Sequence, residues 1–150
     1  MKCGQRSEAG YTLIEILAVL ALLAVLMLLV APNIIDNLNK AKVEATKTQI
    51  AATENVLTNY FMDNNCYPTT EQGLKALLDK PSLPPVPDNW AGPYTNKKNL
   101  PTDGWNKELH YVYPGVHNTE KYDLFSYGAD NAEGGTKFNA DIGNWTNTSK

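Results

Sequence analysis

Arginine is almost missing from this chain: Arg6 is the only one. Lysine and arginine together number 13 against 16 carboxylates, for a net charge of −3. A nucleic-acid-binding protein wants a basic face, which this charge balance does not suggest. Cysteine is scarce as well, limited to Cys3 and Cys66. If the first residues are removed by processing, Cys66 is left without an intramolecular partner, and a disulfide framework cannot form. Cys66 then reads as a small, partly buried hydrophobe; the alternative is an intermolecular bridge or a reactive thiol. The two histidines, His110 and His117, flank an expected turn without the ligand spacing of a zinc site. There is no glycine-rich phosphate loop between strand and helix, and no serine on a nucleophile elbow. Carboxylates are plentiful but scattered. The chain therefore reads as something other than an enzyme.

What the chain does have is apolar residues gathered in one place. They make up 43% of the sequence, yet its mean hydropathy is −0.36, because they are densest in the first quarter and the remainder is strongly polar. Every residue from Ile16 to Ala31 is apolar. At about 1.5 Å per residue, a helix of that run covers roughly 24 Å, against about 30 Å for a bilayer core. Tyr11–Ile14 before it and Ile34–Ile35 after it supply the remaining length. One carboxylate, Glu15, stands near the entry end.

Three readings of this N-terminus compete. A secretory signal would have a short apolar core and a small-residue cleavage site after it. Here the run leads straight into more helix-like sequence. A plain membrane anchor explains the length but not the glutamate. A cut after Gly10, making Tyr11 the new N-terminus, accounts for the order of all the parts. A charged side chain within a membrane helix costs about 2.5–3.5 kcal/mol or more, so it reads as functional by default. The competing reading of Glu15 is a carboxylate that snorkels to the headgroups.

Beyond the run, Pro32 is expected to kink or loosen the helix, since it lacks a backbone donor. An amphipathic segment follows from about Asn33 to Met62. Val43, Ile50 and Leu57 recur at seven-residue spacing, with Leu38, Tyr60 and Phe61 extending the stripe. Asp63-Asn64-Asn65 ends it. Thr69 with Gln72 three residues on predicts the start of a second, short helix, stopped before Pro81. The five prolines of residues 81–93 predict an irregular loop. Leu109–Tyr113 and Tyr122–Tyr127 read as strands around a Pro114-Gly115 turn. The tail from Gly128 to Lys150 reads as loop. The fold class is α+β: a long N-terminal helix, a short helix, a small antiparallel sheet and a C-terminal loop.

Gly10-Tyr11-Thr12-Leu13-Ile14-Glu15 resembles the processing signal of type IV pilins and pseudopilins. Blocks along the rest of the chain are similar to the major pseudopilins of bacterial type II secretion systems. They are Asp63–Leu74, Lys80-Pro81 with Leu83-Pro84-Pro85, Asp103–Asn106, Tyr122–Asp130 and Asp141–Trp145. Tyr11 stands where that family usually has phenylalanine, and Cys66 where it often has a basic residue. The resemblance implies the pilin-like fold and three parts: a cleaved leader over 1–10, a transmembrane and polymerisation segment over 11–35, and a periplasmic domain over 36–150. It implies that a prepilin peptidase cuts after Gly10 and N-methylates Tyr11, and that Glu15 pairs with the Tyr11 amine of a neighbouring copy.

By the same resemblance, the chain would sit in the bacterial inner membrane and then polymerise with itself into a periplasmic pseudopilus. Its partners would be an inner-membrane assembly platform with its ATPase and the minor pseudopilins, and the fibre would drive folded proteins through the outer membrane. The alternative is a type IV pilin-like subunit for adhesion or DNA uptake; a surface pilin usually carries a disulfide-closed loop. An enzyme on a membrane anchor comes third.

Asp130, Asn131, Glu133, Asn139 and Asp141 cluster in the glycine-rich tail. Hard oxygen ligands on a flexible loop suit calcium, although the spacing is not that of an EF-hand. The resemblance implies one calcium held by Asp130, Asp141 and a carbonyl near Tyr127. Asn139 falls where the family often has aspartate, with Lys137 nearby. The alternative is a solvated acidic loop.

Overall fold

The structure, a computed structural model, describes residues 11–96 and 98–145, without the side chains of 28–33. One helix, α1, runs from Leu13 to Asn64. It passes through Pro32 without a break in the assigned helix, where the sequence suggests a kink. A proline inside a helix removes a single backbone bond, and α1 continues past it to Asn64.

The chain divides into two compact units, up to Leu38 and from Asn39 onward. In the first, every large apolar side chain from Tyr11 to Met27 is 45–80% exposed. Among the described residues no helix is long and apolar enough to cross a membrane; the apolar run of the sequence continues into residues 28–31, whose side chains lie outside the described set.

In the second unit, α1 turns one face to the domain. Thr46, Ile50, Thr53, Leu57 and Tyr60 are buried and Val43 is half-buried. This 3-4 spacing is the stripe expected of a packed helix. Leu38 and Phe61, assigned to the stripe from the sequence, are 56% and 40% exposed. Two threonines take part in their place. Each hydroxyl returns a hydrogen bond to its own helix, Thr46 Oγ1 to the Lys42 carbonyl and Thr53 Oγ1 to that of Gln49, both at 2.8 Å. That satisfies the polar atom and lets the methyl group pack.

After α1, Asn65 takes a left-handed φ of 54° and stops the helix. Thr69 and Gln72 form the reciprocal bonds of a capping box, Thr69 N to Gln72 Oε1 at 3.0 Å and Gln72 N to Thr69 Oγ1 at 3.2 Å. The short helix that follows is of the 3-10 type, Gly73–Leu77, and Gly73 at its start takes a φ of 57°. Leu74, Ala76 and Leu77 of this element pack into the core. The proline-rich segment has no regular element between Pro81 and Pro93.

The sheet has the order β1-β2-β3, all antiparallel. Strand β1 is His110–Val112, β2 is Asp123–Ser126 and β3 is Ile142–Gly143. Tyr111 pairs with Leu124, and both are buried. Tyr111 keeps its hydroxyl satisfied by donating to the Pro68 carbonyl at 2.8 Å. Reading the whole tail as loop is therefore a correction: β3 pairs with β2, and a 3-10 turn spans Lys137–Asn139. A two-residue strand leaves too little alternation to detect in a sequence.

Candidate functional site

Gly10, the expected cleavage position, lies outside the described residues. Tyr11 is 80% exposed at the head of α1. Two residues in, Thr12 and Glu15 face each other in a capping geometry. Glu15 N donates to Thr12 Oγ1 at 3.3 Å, and Thr12 N donates to Glu15 Oε2 at 3.4 Å. These satisfy helix-end donors that have no partner within the helix. The resemblance gives Glu15 a partner only on a neighbouring copy. Within its own chain, Thr12 is the N-cap of α1 and the Glu15 carboxylate closes the capping box from the third helical position, where a negative group also suits the helix dipole. The bond is long and exposed, so the carboxylate keeps acceptor capacity for a second partner.

The expected metal loop folds back on itself. Ala129 N donates to the Phe138 carbonyl at 2.9 Å, which sets residues 128–130 beside 138–140. Gly128 has a φ of 70°, and a Cβ there would lie 2.8 Å from the Phe138 carbonyl oxygen and 2.9 Å from that of Ala140. Only glycine allows these carbonyls to converge so closely on the chain after Tyr127. Asp130 is exposed, and its Oδ1 accepts from Ala132 N at 3.3 Å. Asp141 is half-buried and accepts from Gly134 N through both oxygens, at 3.1 and 3.0 Å. Asn139 is exposed on the 3-10 turn.

Among the described residues no group of three or more His, Cys, Asp or Glu side chains gathers as for a metal. A cation here would draw on carbonyl and amide oxygens as well as Asp130 and Asp141. That mixture, with the glycine cradle at Gly128, fits a hard, oxygen-seeking ion such as calcium. The Tyr127 carbonyl, Asp130, Asn139 and Asp141 would hold it.

The two histidines sit in ring stacks. His110 lies 5.3 Å from Phe125 and 4.5 Å from Tyr127. His117 stacks on Trp145 at 3.9 Å, and its Nδ1 is 3.1 Å from Asp123 Oδ2.

The comparisons with known proteins bear on what this arrangement serves. The family model for type II secretion system (T2SS) protein G matches residues 33–145. The chain belongs to the type II secretion system protein G family. A second model, the prokaryotic N-terminal methylation motif, matches residues 5–31. The chain is 43% identical over 143 residues to a type II secretion system core protein G of Pseudomonas aeruginosa, covering 95% of this chain and 99% of that protein. It is also 43% identical over 140 residues to the protein of that name from Vibrio cholerae, covering 93% of each. The crystal structure of the major pseudopilin from the type 2 secretion system of enterohaemorrhagic Escherichia coli is similar at a TM-score of 0.62 and 38% identity. The match covers 76% of this chain and 95% of that one. These findings place the chain with the structural pseudopilins, in agreement with the resemblance read from its blocks.

Several residues that organise the protein G fold escaped the sequence reading. Asp103 is buried and accepts from Trp105 N and Lys107 N through Oδ1, at 2.8 and 2.9 Å. Ser126 Oγ donates to its Oδ2 at 2.5 Å and accepts from Gly128 N at 3.1 Å, tying this cluster to the 128–141 loop. Asp123 is buried and accepts from Val116 N, His117 N and Asn118 N at 2.7–2.9 Å. Burial pushes the Asp123 carboxyl up, but these donors outweigh it and hold the pKa below the ordinary aspartate value. The Asp123 signal was present in the sequence as a carboxylate a few residues after a Pro-Gly turn.

Proposed function

We propose that this chain is made as an inner-membrane precursor, cut after Gly10 and methylated on Tyr11. It then assembles helix to helix into a periplasmic pseudopilus that drives folded proteins through the outer membrane. The observation that carries this reading is the contrast along α1. From Asn39 the helix has one face buried under its own domain; from Tyr11 to Met27 its large apolar side chains have no cover. Fully burying one such side chain is worth about 1.5–3 kcal/mol, so this surface needs lipid first and neighbouring helices afterwards. Residues 11–35 are the spanning segment. Glu15 accompanies them to the fibre, where its second partner is the Tyr11 amine of an adjacent copy. That pairing neutralises two charges in a medium of low dielectric and fixes the register between helices.

The domain from residue 36 supplies the surface of the fibre. Calcium bound by the 128–141 loop would cross-link two segments that contain many turns and few apolar side chains. A prepilin peptidase, the inner-membrane assembly platform and the minor pseudopilins are the partners this reading requires. Intact-mass analysis of membrane-extracted protein tests it. The expected mass is that of a chain starting at N-methylated Tyr11, and Gly10→Val should retain the leader. A wild-type chain starting at Met1, or at any residue beyond Ala31, would contradict it.

A further inference from the structure

The second unit begins at Asn39, so its first helical turns are joined directly to the apolar segment. The loop that packs on those turns is the Asp103–Lys107 corner. Gly104 N donates to Thr46 Oγ1 at 2.9 Å. Gly104 also lies so close to the Lys42 carbonyl that no Cβ would fit. A bridge between Thr102 and Glu108 closes the loop, and Asn106 at φ 64° shapes its tip. Asp103 then fixes the backbone on both sides of that tip. The corner is a rigid ledge at the Lys42–Thr46 level of α1.

Trp105 on this ledge differs from the other tryptophans. Trp90 donates its indole N–H to the Ala76 carbonyl at 2.9 Å and meets the Tyr94 ring edge-on. Trp145 stacks on His117. Trp105 is half-buried, and among the described residues its ring stacks on no other and its indole N–H has no acceptor. An apolar body with a free N–H suits the boundary between lipid and water. The lysines agree. Lys47 is paired with Glu44 at 2.8 Å, whereas Lys40, Lys42 and Lys107 form no ion pair among the described residues. Of the corner's carboxylates, Asp103 is spent on the loop's own bonds and Glu108 alone stays exposed. Unpaired cations therefore outnumber free anions on the ledge.

Building on the membrane insertion proposed above, we infer that the Trp105 ledge, with Lys40, Lys42 and Lys107, rests on a lipid surface before assembly, and that its partner is anionic phospholipid. Trp105 enters the headgroup region, and the three ammonium groups meet phosphate at the same level. The ledge holds the domain against the bilayer until the subunit is withdrawn into the fibre.

The test uses the full chain in nanodiscs containing phosphatidylcholine brominated near the headgroup, with or without phosphatidylglycerol. Tryptophan quenching should be about twofold or more greater with phosphatidylglycerol. Trp105→Phe should abolish the increase while leaving the emission of Trp90 and Trp145 unquenched. Lys40→Gln with Lys107→Gln, which keeps Trp105, should reduce the increase and so checks the result independently of any packing change at the tryptophan. Chains that insert but show equal quenching in both lipids, or the same quenching in Trp105→Phe, overturn the ledge alone. Quenching that disappears as copies per disc increase assigns the surface to a second copy and also overturns it. Chains that fail to co-float with the discs contradict the membrane reading itself.

Discussion

The side-chain amide of Asn144 donates to Glu54 Oε1 at 3.1 Å, across 90 residues of sequence. The same amide donates to the Tyr122 carbonyl at 3.2 Å, and its Oδ1 accepts from Leu124 N at 3.0 Å and Asn118 Nδ2 at 3.1 Å. One side chain thus ties the C-terminal strand to β2, to the 116–121 turn and to α1. Asn144→Ala should destabilise the domain by about 1–3 kcal/mol or more, because it leaves half-buried donors and acceptors without partners. Denaturant unfolding of the full chain in detergent measures this. A change under about 0.5 kcal/mol, ordinary for a surface site, would show that the staple is dispensable.

Thr46 and Thr53 make a matched pair. Both hydroxyls bond back to α1, but Thr46 Oγ1 also accepts the Gly104 N–H. Thr46→Val should therefore cost about 1–3 kcal/mol through an unsatisfied donor, and Thr53→Val should cost clearly less. Equal losses in the two melting curves would mean that the Gly104 bond contributes nothing.

How far was this readable beforehand? The long helix, both main strands and the Pro-Gly turn were legible because they follow strong periodicity or strong turn chemistry. Ile50, Leu57 and Tyr60 proclaimed the buried face of α1, while Thr46 and Thr53 did not, since a polar residue marks a core position only once its hydrogen-bond partner is known. The third strand was hidden for a different reason: Ile142-Gly143 is held by Asn144 and by the Trp145–His117 stack, all long-range contacts. At the sites, the Thr12–Glu15 spacing is that of a capping box, but a carboxylate at the entry of a long apolar run is the stronger signal and masks it. The acidic residues of the tail were visible, but the convergence of carbonyls at Gly128 depends on backbone geometry.

The pH dependence of stability should bear the mark of Asp123 at one end and of the buried tyrosines at the other. A lowered folded-state pKa means that the Asp123 contribution is present above the unfolded value, about 3.9, and is lost as pH falls through the folded value. Burial raises Tyr111 and Tyr122 and pushes the Tyr60 hydroxyl up to about 12. Their contribution is intact below about pH 10 and is lost as pH rises beyond it. Melting temperature should fall at both extremes, and Asp123→Asn should flatten the acid limb while lowering stability at neutral pH. An unchanged acid limb in that variant would contradict the assignment.

Calcium should raise the melting temperature of the folded domain. An ion that binds only the folded state adds about 2.7 kcal/mol at a hundredfold excess over Kd. Asp130→Ala should remove most of the difference between calcium and chelator, and magnesium should substitute poorly because it demands tighter octahedral geometry. Identical melting in calcium and chelator would show that the Asp141–Gly134 and Ala129–Phe138 bonds hold the loop unaided.

The proposed fibre depends most directly on Glu15 joining copies of the chain. Glutamine at this position can still accept the Thr12 N–H and close the capping box, so Glu15→Gln removes the charge while leaving the cap. The decisive measurement is the amount of fibre sheared from cells that overproduce the chain together with its secretion machinery, scored by immunoblot and electron microscopy against equal levels in the membrane. Wild-type chain should give fibres, and Glu15→Gln should remain in the membrane fraction, cut after Gly10 but unassembled. Fibres of normal yield and length from Glu15→Gln would contradict the account, leaving Glu15 as a helix cap and nothing more.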